Sequence, residues 1–139
     1  MIEVLIAIVI LSFGLLAVAS MQISALQGTS FSRGITESSE MIQDRIEKIM
    51  SSNYASLADT WNDGAAGLNN ATPATADYSD EVDIIHVRYN VYWNVATNWV
   101  GDTVTGYAMT GVKTIRVIVT WLDRGSARTA AFDLLKTNV

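Results

Sequence analysis

Residues 4–32 carry no charged side chain, and most of the first part of that stretch is aliphatic. Such a run restricts the chain more than any other feature. A helix needs about 20 mainly apolar residues to cross a bilayer, and this run supplies them. Its single nearby acid, Glu3, stands at the start, and the next charge is Arg33. A carboxylate at the end of an apolar helix is costly to bury without a partner, which makes Glu3 a functional candidate.

The rest of the chain bounds the kind of partner expected. With 139 residues, one folded domain plus an anchor is the natural division. Nine basic against fourteen acidic residues give a net charge of -5, which argues against nucleic acid as a partner. No cysteine is present, so neither disulfides nor thiolate metal sites arise.

Four segments follow from the pattern: an apolar helix over 1–21, an amphipathic helix over 22–57, a loop over 58–81 and an antiparallel sheet over 82–139. No proline precedes Pro73. Ile23, Leu26, Ile35, Ile42, Ile46 and Ile49 recur at near-helical steps with charged residues between them. Asn62-Asp63-Gly64, Gly67, Asn69-Asn70 and Pro73 mark the loop. Residues 83–95 alternate, with Ile85, Val87, Tyr89, Val91, Trp93 and Val95 on one face and His86, Arg88, Asn90, Tyr92 and Asn94 on the other. Residues 113–121 repeat the alternation, and Asp123-Arg124-Gly125-Ser126 reads as a hairpin turn into a strand over 128–136, with Ala130, Phe132 and Leu134 on one face. Gly101, Gly106 and Gly111 mark a longer connection, with a short strand near Val104. The expected fold is α+β: a long N-terminal helix whose amphipathic half covers a three- or four-stranded antiparallel sheet.

A secretory signal peptide fits the N-terminus less well, because signal peptides open on positive charge and Glu3 is negative. The residues Met1-Ile2-Glu3-Val4-Leu5-Ile6-Ala7-Ile8-Val9-Ile10-Leu11 closely resemble the start of mature type IV pilins and type II secretion pseudopilins. Laid on that family's pattern, Met1 and Ile2 are its apolar pair and Glu3 its near-invariant acid, with two mature residues and a basic leader lying upstream of this numbering. Ser12-Phe13-Gly14-Leu15-Leu16, the stretch 113–121 and the Asp-Arg-Gly-Ser turn look like PilV-type minor pilins. The paired cysteines and the helix proline of many major pilins are missing.

The resemblance implies a structural subunit of an extracellular pilus or related pseudopilus, held in the inner membrane before assembly. It also implies processing by prepilin peptidase, methylation of the first mature residue and co-polymerisation through helix–helix packing. Glu3 would pair with the N-terminal amine of a neighbouring subunit. Val4, Leu5, Ile6, Ile8, Val9, Ile10, Leu11, Phe13, Leu15 and Leu16 would serve first as lipid anchor and then as filament core. Gly14 is a point where the helix could soften, or a small residue allowing close helix packing. A minor pilin is the preferred reading, beside a major pilin or a membrane-tethered binding module. Adhesion, twitching motility, DNA uptake and protein secretion systems share this design, with DNA uptake least favoured by an acidic domain.

No cofactor is expected, and no catalytic motif occurs: GxSxG, HExxH, P-loop and dinucleotide fingerprints are all missing. Asp77, Asp80 and Asp83, with Glu81, are weak Ca²⁺ candidates without EF-hand spacing, so a solvated acidic edge is the simpler expectation. Asn70-Ala71-Thr72 matches a glycosylation sequon. Trp61 and Trp99 are expected in loops and Tyr92 on a polar face, as contact candidates, and Trp93 and Trp121 in the core.

Overall fold

The computed structural model describes residues 1–84, 87–101 and 105–138. Ile85, His86 and Val104 lie outside the described residues. Helix α1 spans Ile2–Ser51, and strands β1 (Tyr78–Ile84), β2 (Val87–Val100), β3 (Tyr107–Asp123) and β4 (Ser126–Thr137) follow, with short 3-10 helices at Tyr54–Ser56 and Gly64–Asn69. By internal contacts the chain separates into two compact units, Met1–Gly34 and Ile35–Val139.

The second unit is an α+β fold in which the end of α1 packs on a four-stranded antiparallel sheet of order β1-β2-β3-β4. Ser38, Ile42 and Ile49 of the helix are buried, and Met41, Arg45 and Ile46 are partly so. Their spacing of three to four residues makes one helical face. The buried hydroxyl of Ser38 is satisfied within the helix, 2.9 Å from the Ile35 carbonyl. Beneath that face lie Tyr89, Val91 and Val95 of β2, Ile115, Val117, Val119 and Trp121 of β3, and Leu134 of β4. All but Leu134 are at most 4% exposed. Each such side chain, fully buried, contributes about 1.5–3 kcal/mol, and this layer is the main stabilising element.

Several expectations need correction. The helix stops at Ser51, short of residue 57, and Asn53 starts a separate 3-10 turn by accepting the Ala55 amide at 2.9 Å. Ile23, Leu26 and Ile35 are exposed and do not belong to the buried face. The alternating run 83–95 is two strands: it contains the end of β1 and most of β2, paired from Tyr78–Trp93 to Ile84–Val87. β1 thus starts inside the segment expected to be loop. The link between β2 and β3 is shorter than expected, since Gly111 lies within β3. A Cβ on Gly101 would come 2.9 Å from the Gly106 Cα, so that close crossing needs glycine.

The β3–β4 hairpin follows the sequence. Asp123 pairs with Ser126, and Arg124 and Gly125 take φ of 52° and 80°. Two positive-φ residues make the type I′ turn whose twist suits a tight hairpin.

Candidate functional site

The first unit is the end of the chain with no core of its own. From Ile2 to Met21 its large apolar side chains are each at least half exposed, Phe13 at 70%. Val4, Leu5, Ile6, Ile8, Val9, Ile10, Leu11, Phe13, Leu15 and Leu16 step around the axis at 100° per residue, so they cover every side of the helix rather than one stripe. A helix apolar all round is satisfied by lipid or by a ring of other helices. By length and composition it could cross a membrane, and none of its most apolar stretch is buried within the chain.

Three hydroxyls in this unit are folded back onto the backbone. Ser12 donates to the Ile8 carbonyl at 2.8 Å, Ser20 to Ala17 at 3.0 Å and Thr29 to Ala25 at 3.0 Å. Their hydroxyls therefore add little to the cost of an apolar setting. Glu3 stands in the first turn, where a carboxylate is favoured by the free amides and the helix dipole. The helix runs regularly through Gly14, and a Cβ there would meet nothing within 4 Å. No contact inside the chain requires glycine at that position.

The structure does not bring the Ca²⁺ candidates together. Asp77 Oδ1 accepts the Thr60 and Trp61 amides at 2.6 and 3.3 Å, and its Oδ2 accepts the Val95 amide at 2.8 Å. This carboxylate continues the hydrogen bonding where the β1–β2 ladder ends at Tyr78–Trp93. Burial pushes its pKa above the ordinary value, against the lowering pull of those amides, and nearby Asp59 adds to the rise. Asp80 is paired with Arg45 at 2.6 Å, while Arg88 lies 3.3 Å from Glu81 and 3.8 Å from Asp83. Among the described residues no group of three or more His, Cys, Asp or Glu could hold a metal ion.

Arg45 also lies 4.1 Å over the Trp93 ring, which stacks on Tyr78 with centroids 5.4 Å apart. A guanidinium over an aromatic face is worth about 0.5–2 kcal/mol, so this stack fastens the helix to β1 and β2. On the helix side Tyr89 donates to Glu37 at 2.5 Å.

The sheet's other face is partly covered, which the alternating pattern does not reveal. Residues 64–76 lie over it, and Tyr92, Ile118 and Ala76 form a second small core. Tyr92 is 4% exposed and is not a surface contact. Asn94 holds the loop, donating to the Leu68 and Asn70 carbonyls and accepting the Asp77 amide. Arg116 grips Asp133 through two 2.6 Å bonds and also bonds Asn69. Asn70 of the sequon donates to Asp63 and to the Thr75 carbonyl, so both of its amide hydrogens are engaged. Trp61 is exposed in the loop as expected, with its indole nitrogen on the Ala76 carbonyl, whereas Trp99 lies in β2.

Lys113 and Lys136, neighbours across β3 and β4, escaped the sequence reading. Lys136 donates to the Ile49, Met50 and Ser52 carbonyls at 2.6, 3.1 and 2.5 Å, capping the end of α1. Lys113, buried beside it, reaches the Tyr54 and Leu57 carbonyls and sits 4.3 Å over the Tyr54 ring. Burial lowers the Lys113 pKa, and the Lys136 charge lowers it further. Lysine on an otherwise apolar alternating face was the available signal.

No protein-family model, no curated protein and no solved structure matches this chain.

Proposed function

We propose that this chain is a structural subunit of a type IV pilus or related secretion pseudopilus, incorporated as a minor pilin through its N-terminal helix. The observation carrying this reading is the helix that is apolar on every side, unburied from Ile2 to Met21 and headed by one carboxylate. A stripe would suit one partner helix, but this surface needs enclosure all round. Burying that many aliphatic side chains is worth on the order of tens of kcal/mol, in lipid or in a helical bundle. The same surface suits both settings, so moving from inner membrane to filament exchanges one apolar environment for another.

Glu3 supplies what apolar packing lacks, which is direction and register. Paired with the terminal amine of a neighbouring subunit inside an apolar bundle, it fixes the axial offset. Leaving such a charge unpaired costs about 3–5 kcal/mol. The resemblance of residues 1–16 to pilins supports the same conclusion. The second unit, with its helix-backed sheet, would then be displayed on the filament surface outside the cell.

The test is isolation of surface filaments from the native host and peptide mass analysis of their subunits. The reading expects this chain in them at low abundance, with residues 1–21 intact. Filaments lacking it, or a mature protein cleaved after this stretch, would overturn the reading.

A further inference from the structure

Three consecutive residues of the loop between α1 and β1, Thr60, Trp61 and Asn62, are exposed, yet their backbone is held. The Thr60 and Trp61 amides donate to Asp77 Oδ1, and the Asn62 amide reaches the Asp59 carbonyl at 3.4 Å. The Trp61 indole N–H donates to the Ala76 carbonyl at 3.0 Å. Indole has no other hydrogen-bonding group, so its polar need is met within the chain while the residue stays 56% exposed. An aromatic ring tied down in advance loses little freedom when something stacks on it.

The surroundings of Trp61 narrow what could stack there. It is the only large hydrophobic side chain left exposed in residues 58–77. Beside it in sequence stand the Thr60 hydroxyl and the Asn62 amide, neither with a hydrogen-bond partner among the described residues. Asn62 takes φ of 52°. Glycine would hold that turn with less strain, and asparagine tolerates it while adding an amide. A protein partner calls for several apolar neighbours around the aromatic anchor, and the loop supplies none. A nucleobase could stack, but its phosphates would meet Asp59, Asp63 and Asp77 of the same loop and a net charge of -5. A neutral pyranose fits both features, with an apolar C–H face for the ring and hydroxyls for the flanking polar groups.

We propose that Trp61 is the stacking platform of a carbohydrate site, taking a neutral sugar ring on its open surface, with the Thr60 hydroxyl and the Asn62 amide bonding the sugar hydroxyls. Asp59, Asp63 and Asp77 act as scaffold. Asp77 fixes the amides of Thr60 and Trp61, Asp59 accepts the amides of Asp63 and Gly64, and Asp63 accepts from Asn70. Their negative charge also selects against acidic sugars. The site uses no residue of the N-terminal helix and so does not depend on the pilus reading.

The test uses the full-length protein in lipid nanodiscs, which avoids sugar-headed detergents. Neutral tetrasaccharides of glucose, galactose, mannose and N-acetylglucosamine are titrated in turn by ligand-observed NMR. At least one should saturate, with a dissociation constant on the order of 1 mM. Tetragalacturonate, a pyranose chain carrying carboxylates, should bind about tenfold more weakly. Trp61→Ala should weaken binding about tenfold or more. Asn62→Gly suits the left-handed turn and removes the amide, so it should weaken binding severalfold with thermal unfolding unchanged. That variant keeps the test decisive if Trp61→Ala disturbs the loop. No saturation by any neutral sugar overturns the proposal. So does wild-type affinity in Trp61→Ala or Asn62→Gly, or tetragalacturonate binding as tightly as the neutral sugars.

Discussion

Replacing Asp77 with asparagine probes the junction that holds the 58–77 loop to the sheet. The aspartate has acceptors on both oxygens, facing the Thr60 and Trp61 amides on one side and the Val95 amide on the other. Asparagine has one acceptor. Its better orientation keeps the oxygen on Thr60 and Trp61 and turns its NH2 toward the Val95 N–H, donor against donor. Val95 is fully buried, and an unsatisfied buried amide costs about 1–3 kcal/mol. Removing a half-buried charge offsets part of this, so a net loss of about 1–2 kcal/mol is expected.

Acid gives the prediction a sign. The folded pKa is raised above 3.8, so between 3.8 and that raised value the native state binds more protons than the unfolded chain. This carboxyl therefore adds stability as pH falls through that window, and asparagine cannot follow. In urea titrations of the detergent-solubilised protein, read by tryptophan fluorescence, Asp77→Asn should lower the midpoint by roughly 0.5–1 M. The gap should be wider at pH 4 than at pH 7. An unchanged midpoint, or a gap that closes on acidification, would refute the reasoning.

Lys136→Met removes three charge-assisted bonds to the end of α1 and should cost about 2 kcal/mol in the same titration, while Lys113 titrates at higher pH by NMR because its like-charged neighbour is gone. Gly125→Ala should cost about 1 kcal/mol or more, visible as a lower melting temperature, because φ is 80° there while no side-chain clash arises.

What the sequence disclosed was whatever local chemistry determines. The apolar run from Val4, and Arg124-Gly125 with its two positive-φ residues, carry their structure in adjacent residues. The alternation of 83–95 conceals a strand boundary because period-two patterning runs on from β1 into β2 with no glycine or proline in that stretch. Alternation puts Tyr92 on the polar face but cannot say what covers that face, and the cover here comes from residues 64–76. The helix end was overestimated for a similar reason. Its carbonyls are capped by Lys136, far along the chain, instead of by a local glycine. At the candidate assembly site, Glu3 and the apolar run were legible as residues, and the structure adds that these side chains remain unburied on all sides.

The most direct measurement is filament yield from cells expressing Glu3→Leu as the sole form of this chain, alongside its membrane content. Unaltered membrane insertion with loss of this subunit from sheared filaments is the predicted outcome. Incorporation at the wild-type level would contradict the pairing role given to Glu3, and with it the account of this helix as a polymer's spine.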